Sequence, residues 1–397
     1  MANKTNYAKG GKEYYRVVGD YGLKADGSRN RKEFYGKNKK EAEAKKETYE
    51  DSLKSGLASN FDKRLVGELM HEWLFEVVRI SPKIRVTTFE RYEGIYRNYV
   101  KCSELNNLKV SELKTITFQR YYNKIYTDGK TSSQIENLNK LLKKFLFYCV
   151  DENYLLKNPL QSKSLSIPGK NELKEMSELD DDLDIVVFTN EEIDKLKNGL
   201  KQNSLRLLVL LAIGTGCRLG ELLALTWEDI YDGAVHINKS SKYATIIEAD
   251  GSRKSKFVLL PPKTKSSYRT VPYPTVLESE FNKHKALQAR EKLSTGPLYA
   301  TTELGFIFKT STGLPLDARN IRRAWQRLLN NSGVEYKKFH GLRHTFATKL
   351  FERDIKPKTV QKLMGHSSLN VTMNIYTHVM PKEKENAVEV LNSIVSM

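Results

Sequence analysis

The sequence predicts a multidomain, mainly α protein with small antiparallel β-sheets: an N-terminal ββ(β)α module, a helical bundle and a mixed α+β domain. Three observations predict it. The chain has 397 residues, which at roughly 100–200 residues per domain is two or three domains. Apolar residues recur mostly at helical spacing, and alternation is confined to short stretches. From Asn171 to Asp184 there are seven acidic residues against one lysine, a compositional break that marks a boundary.

Residues 1–57 read as the small module. KEYYRVVGDYG alternates as a strand, Ala25-Asp26-Gly27 supplies a turn, and NRKEFYG is the partner strand. EAEAKKETYEDSL holds helix formers without Gly or Pro. Basic and aromatic residues interleave here, and a face carrying Arg16, Arg29, Arg31 and Lys32 could lie in a groove of nucleic acid. An ordinary hairpin with a solvated face is the alternative.

Residues 64–155 read as the helical bundle. LVGELMHEWLFEVV has apolar residues at helical spacing, and VTTFERYEGIYRNYV follows with Thr87 or Thr88 as its cap. TSSQIENLNKLLKKFLFYCVDENYL is a helix opened by a Ser/Thr cluster. On it Lys143 and Lys144 adjoin Phe145, Phe147 and Tyr148, aromatics expected in the core. Residues 156–185, with Asn158-Pro159, Pro168-Gly169 and the acidic run, are the expected linker. Flexible there, the chain could close two basic domains around a duplex.

Residues 186–397 read as the mixed domain. Thr189 and Asn190 precede Glu191 and Glu192 as a helix start, and SLRLLVLLAIGTG is a further helix. Between 234 and 274 the stretches AVHIN, YATIIEAD, KFVLLPP and RTVPYP are strand-like, with a turn at Asp250-Gly251-Ser252. From Ala318 onward the pattern is helical again. The segment 381–395 forms a short amphipathic tail helix with Val388, Val390, Leu391 and Ile394.

Composition narrows the function. Hydrophobic residues are 39% and charged residues 29%, enough for real cores and against wholesale disorder. The formal charge is +18, spread over every segment rather than one tail. That balance suggests a polyanion such as nucleic acid, touched along the whole chain. The longest apolar run, Leu207 to Ile213, is far short of the ~20 residues that span a bilayer. The N-terminal stretch has no apolar signal-peptide core, so export and membrane insertion are not expected. Cys102, Cys149 and Cys217 form no CxxC pair and suit a reducing cytoplasm.

Three clusters carry chemistry. In GTGCRLGELLALTWEDI the glycines do not fit a dinucleotide fingerprint, and Arg218 opens a helix with Glu221 one turn later. A carboxylate at that spacing can hold a phosphate-binding arginine, although a plain surface ion pair has the same signature. In PPKTKSSYRTVPYP, Lys263 and Lys265 fall on an expected hairpin, where a mobile ammonium can reach a leaving oxygen. The third cluster, FHGLRHTFATKLFERDIKPKTVQKLMGHSSLNVTMNIYTHV, is the most specific. His340 and Arg343 share a helical face, with His344 next to them. Pro357 starts a helix that Gly365 ends before His366, and Ser367 or Ser368 caps another that ends near Tyr376.

His340 and His344 have the i, i+4 spacing of a zinc helix. Gly341 occupies the place of the general-base glutamate, and Arg343 would set a cation beside the metal. A helix-turn-helix over KPKTVQKLMGHSSLNVTMNIY explains the basic charge but not the set Arg218, His340 and Arg343.

The succession RLGE, HGLRHTFAT, LMGHSS and NIYTHV resembles the catalytic box of tyrosine recombinases, the phage integrase family, over about residues 186–380. The upstream layout is similar to integrases of temperate phages and conjugative transposons. By resemblance Arg218 is the first catalytic arginine with Glu221 as its acidic companion, and Lys263 is the β-hairpin lysine, with Lys265 two residues away. His340 and Arg343 match the H-x-x-R pair, His366 the last histidine and Tyr376 the nucleophile.

The chemistry suits these residues. Two arginines can grip the nonbridging oxygens of a phosphodiester by bidentate hydrogen bonds, and two histidines add donors. A tyrosine, with an ordinary pKa of about 10, needs such a positive field to attack near neutral pH. The resemblance implies a 3′-phosphotyrosine, a free 5′-hydroxyl protonated by Lys263, and no metal, ATP or other cofactor. It also implies double-stranded DNA attachment sites as substrate and a tetramer on two duplexes, with the tail docked on a neighbouring protomer. The N-terminal module would bind arm-type sites, and the bundle and catalytic domain would clamp the core site. A directionality factor and a host DNA-bending protein are candidate partners, and a bacterial cytoplasm, at the nucleoid, is the expected location. The rivals are a type IB topoisomerase, a noncatalytic DNA-binding regulator and a metal hydrolase.

Overall fold

The computed structural model describes residues 6–9, 12–23, 29–54, 64–169, 185–201, 203–262, 264–301 and 304–379. Two compact units divide the chain, Met1–Glu175 and Met176–Met397.

In the first unit the alternating stretches form an antiparallel sheet in the order β1 (Tyr7–Lys9), β2 (Lys12–Leu23) and β3 (Arg29–Gly36). The turn expected at Ala25-Asp26-Gly27 lies outside the described residues. Helix α1 (Lys39–Lys54) packs on β2 and β3, burying Phe34 and Ala42. The Tyr49 ring closes this small core against Tyr21 at 5.1 Å and Phe34 at 5.5 Å.

The bundle follows. Helix α2 (Val66–Glu72) continues in wider π-helical turns through Trp73–Val78, and α3 (Val86–Tyr96) does the same through Arg97–Lys101. Arg85 holds the cap position of α3 and Thr88 donates its amide to Arg85 O, so the two threonines lie inside the first turn rather than before it. Helices α4 (Thr115–Thr127) and α5 (Ser132–Asp151) complete the bundle. The Ser/Thr cluster does open α5: Thr131 Oγ1 accepts from Gln134 N, and the Gln134 side chain accepts from Thr131 N.

Helix geometry corrects one expectation about α5. Phe145 is fully buried, but Phe147 is 43% exposed. Two positions apart on a helix is about 200°, so both cannot face one core. The segment from 156 to 169, read from sequence as linker, runs along the bundle. Thr115 Oγ1 donates to Pro159 O, Ser132 Oγ donates to Pro168 O, and Gln119 exchanges hydrogen bonds with Ser166. The acidic stretch 171–184 lies outside the described residues.

In the second unit, Thr189 caps α6 (Asn190–Gly199) through a reciprocal bond with Glu192. Helix α7 (Arg206–Thr215) carries the apolar run, and the short α8 (Leu219–Leu222) follows. Strands β4 (Ile230–Tyr231), β5 (Ala234–Ile237) and β8 (Arg269–Pro272) form one antiparallel sheet. Strands β6 (Ser240–Ile247) and β7 (Arg253–Leu260) form a separate hairpin, closed at the turn expected around Gly251. Helix α9 (Leu277–Thr295) comes next, absent from the sequence reading. It buries only Leu277, Glu280, Phe281 and Gln288, a half-polar set that leaves no apolar period to detect.

Helices α10 (Ala318–Asn331), α11 (Gly341–Phe351), α12 (Pro357–Met364) and α13 (Leu369–Val379) close the domain. Its main core gathers α7, α10 and the strands around Trp325, Phe188, Leu211 and Ile307. A smaller cluster of Ala347, Phe351, Val360, Met364 and Ile375 joins α11, α12 and α13. The expected fold class, multidomain and mainly α with small antiparallel sheets, is the one observed. Among the described residues no helix is long and apolar enough to cross a membrane.

Candidate active site

Helix termini assemble the site. Gly216 ends α7 in the left-handed conformation, at φ +62°. A Cβ there would run into the Phe346 ring of α11, so glycine lets α7 and α11 approach. Arg218 then takes the cap position of α8. The Glu221 carboxylate accepts from Arg218 N at 2.9 Å and from its guanidinium at 3.0 Å. Glu221 is buried while Arg218 remains 39% exposed, so the carboxylate aims an arginine that solvent and ligand can still reach.

A residue absent from the sequence reading completes this pair. Arg269, at the start of β8, donates to both Glu221 oxygens, at 3.2 and 2.8 Å. Its Nε reaches Leu363 O at 2.7 Å. Arg269 stands inside the PPKTKSSYRTVPYP cluster, but a buried arginine on a short strand has no sequence signature of its own.

Arg343 is 2% exposed. One terminal nitrogen donates to Gly216 O and the other to Met364 O, each at 2.6 Å. Together Arg269 and Arg343 satisfy the last carbonyls of α12, which a helix end leaves without partners. Gly365 ends α12 in the left-handed conformation, and His366 follows, buried, with Nδ1 2.9 Å from Thr372 Oγ1 of α13. Half-buried His340 caps α11, its ring 4.8 Å from that of His344. Tyr376 packs edge-on against Phe351 at 5.1 Å, in the small core that also holds Met364. Ser368 Oγ accepts from Asn370 N at the start of α13, which runs past Tyr376 to Val379 rather than ending near it.

The lysines stand differently. Strands β7 and β8 belong to different sheets, so their connection is not the turn of a hairpin. Lys265 is exposed on that connection, and Lys263 lies outside the described residues. The candidate DNA contacts are all in the first unit. Arg29 and Arg31 pair with Asp20 at 3.6 and 3.5 Å. Arg16 pairs with Glu33 at 3.1 Å and stacks over Tyr7, and Lys32 sits 3.7 Å from the Tyr49 ring centroid. Lys144 donates to Tyr92 Oη, and half-buried Lys143 accepts at its carbonyl from Asn158. Among the described residues no group of three or more His, Cys, Asp or Glu could hold a metal.

The electrostatics are those of an anion site. Burial pushes Glu221 up, but the Arg269 hydrogen bonds and the charges of Arg269 and Arg218 override it and hold the carboxyl down to about 2. Burial, with Arg218 and Arg269 nearby, pushes Arg343 down to about 9. His366 is pushed down to about 3 by burial, then by Arg343, Arg218, His344 and Arg269. His366 is therefore neutral at neutral pH and can be a hydrogen-bond donor from one nitrogen only. Like charges brought together around a buried carboxylate repel one another, and a bound oxyanion relieves that repulsion. Buried and half-exposed arginines beside a buried imidazole make a site of the class that holds an oxyanion.

The comparisons agree with that class. Residues 187–383 match the model of the Phage integrase family, and residues 65–126 that of the Phage integrase, N-terminal SAM-like domain. A tyrosine recombinase XerC-like protein of Caldanaerobacter subterraneus subsp. tengcongensis is 50% identical over 397 residues, covering 99% of this chain and 100% of the relative. An integrase of a Staphylococcus phage is 26% identical over 344 residues, covering 81% and 92%. The structure of the Tn1549 transposon integrase with a circular intermediate DNA matches with a TM-score of 0.62 at 19% identity, covering 80% of this chain and 99% of that one. The chain belongs to the phage integrase family of tyrosine recombinases, enzymes that exchange DNA strands.

Proposed function

We propose that this protein cleaves and rejoins DNA at specific attachment sites to integrate and excise a mobile element. The observation that carries the reading is the joint anchoring of Arg218, Glu221, Arg343 and His366 at the ends of α7, α11 and α12. Arg218 and Arg343 hold the nonbridging oxygens of the scissile phosphate, and His340 and His366 supply further donors. The Tyr376 oxygen attacks phosphorus and the bond to the 5′ oxygen breaks. The phenol passes its proton to His340, and Lys263 protonates the departing 5′ oxygen. The 3′-phosphotyrosine stores the bond energy, and a 5′-hydroxyl of a second strand reverses the step. No hydrolysis of a nucleotide is required.

In this reading residues 1–57 bind arm-type sites through Arg16, Arg29, Arg31 and Lys32. Residues 64–155, with Lys143 and Lys144, and residues 186–397 grip the core site. Four protomers assemble on two duplexes in the bacterial cytoplasm, each docking the tail helix 381–395 on a neighbour, and a directionality factor and a host DNA-bending protein set the outcome.

The test is covalent trapping on a nicked suicide duplex carrying the element's end. The wild type gives a DNA–protein adduct whose modified peptide contains Tyr376. Tyr376→Phe binds the same duplex and gives none. An adduct from the Phe variant, or chelator-sensitive cleavage by the wild type, refutes the reading. Relaxation of supercoils without joining of a new strand favours a type IB topoisomerase.

A further inference from the structure

Among the described residues, the chemistry of the site leaves one buried cation, Arg269, without a role. Arg269 is 5% exposed at its side chain, too enclosed to meet DNA, and yet it makes the most elaborate contacts of any arginine described. Its two terminal nitrogens donate to Glu221 Oε1 and Oε2, and one also to Ser267 O at 3.2 Å. Its Nε donates to Leu363 O, and Cys217 Sγ lies 3.8 Å from a terminal nitrogen.

The charges show what these contacts accomplish. Glu221 grips Arg218 by two hydrogen bonds. An ionised carboxylate placed so close, on its own, would cancel the charge of the arginine it orients. Glu221 would then aim Arg218 and disarm it together. With Arg269 on its other edge, the three groups carry a net single positive charge, and the exposed member of the trio is Arg218. We propose that Arg269 is a positioning residue for strand cleavage: it offsets the charge of Glu221, so that this carboxylate orients Arg218 without neutralising it.

The inference rests on the proposed function. The groups that face Glu221 are Arg218 beside it on α8, Arg269 from β8, Arg343 from α11 and Cys217 before the helix. All but the thiol are cationic, and Arg269 is the one that binds both carboxylate oxygens through side-chain nitrogens. Its loss leaves burial to push the Glu221 carboxyl upward, against Arg218 and Arg343 alone.

The experiment measures the rate of adduct formation on the nicked suicide duplex by the full chain. Arg269→Met is expected to slow the adduct by about 10–100-fold, as loss of an outer partner of a reacting group does. Arg269→Lys keeps the charge and stays within a few-fold of wild type. Adding Glu221→Gln to Arg269→Met restores part of the rate, because the uncompensated charge is gone. A role in packing alone cannot give this rescue, since Glu221→Gln does not return the bond to Leu363 O. The inference fails if Arg269→Met cleaves like wild type or if the double variant is as slow as Arg269→Met. It also fails if Arg269→Lys is as slow as Arg269→Met. Should the Met variant not fold, Arg269→Lys decides alone: a loss of tenfold or more overturns the charge argument. A wild-type chain that forms no adduct defeats the proposed function instead, and the two failures are distinct.

Discussion

Replacing Gly216 by alanine tests the way α7, α11 and Arg343 are locked together. The residue sits at φ +62°, where a Cβ costs about 1 kcal/mol or a little more. The new methyl group also meets the Phe346 ring, which is packed against the small core. Relieving such an overlap in a packed interior adds roughly 1–3 kcal/mol. The sum is about 2–4 kcal/mol, and at roughly 2–4 °C per kcal/mol for a unit of about 200 residues the melting temperature falls by about 4–16 °C. Gly233 provides the control. It has φ +67° in the β4–β5 turn, and nothing lies within 4 Å of a Cβ built there, so Gly233→Ala carries the backbone term alone. Thermal melting of both variants, with the adduct rate as second readout, separates the terms. Gly216→Ala should melt well below Gly233→Ala, and should cleave slowly because Gly216 O anchors Arg343. Equal melting temperatures for the two variants would refute the packing argument.

Two further outcomes concern His366. Its folded pKa is pushed from the ordinary 6.5 to about 3, so between those values the unfolded chain holds a proton that the folded chain does not. Stability therefore falls as pH drops from 6.5 towards 3, by at most ~1.4 kcal/mol per pH unit from this group. Denaturant melts at pH 7 and pH 4.5 should show a smaller difference for His366→Gln than for wild type, and an unchanged difference would contradict the burial assigned to the ring. Thr372→Val removes the hydroxyl at Nδ1 and should slow adduct formation about tenfold. Thr372→Ser should recover the rate, and a Val variant as fast as wild type would show that the hydroxyl does not orient the imidazole.

Much of the site was legible because its residues stand at helix ends, and helix ends are written locally. Gly216, Pro357 and Gly365 punctuate the chain by their own backbone preferences, which placed Arg218 and His366 at termini before any tertiary contact was known. Thr131 and Thr189 were readable as caps for the same reason. What escaped depends on partners distant in sequence. Arg269 is defined by Glu221 and Leu363, and Thr372 by His366, relations that spacing does not encode. Helix α9 escaped because the side it buries includes Glu280 and Gln288, satisfied by Arg206 and by Ile307 O. Phe147, expected in the core by its spacing among the aromatics, is exposed because the angle around α5 turns it away from Phe145.

The arginine clasp at the end of α12 has a consequence for synthesis on the ribosome. Arg343 bonds chain positions 216 and 364 at once, so its guanidinium can be held in this way only after the polypeptide has been made past Met364. A chain that stops before Met364 holds the RLGE loop but lacks the carbonyl that fixes Arg343 beside it.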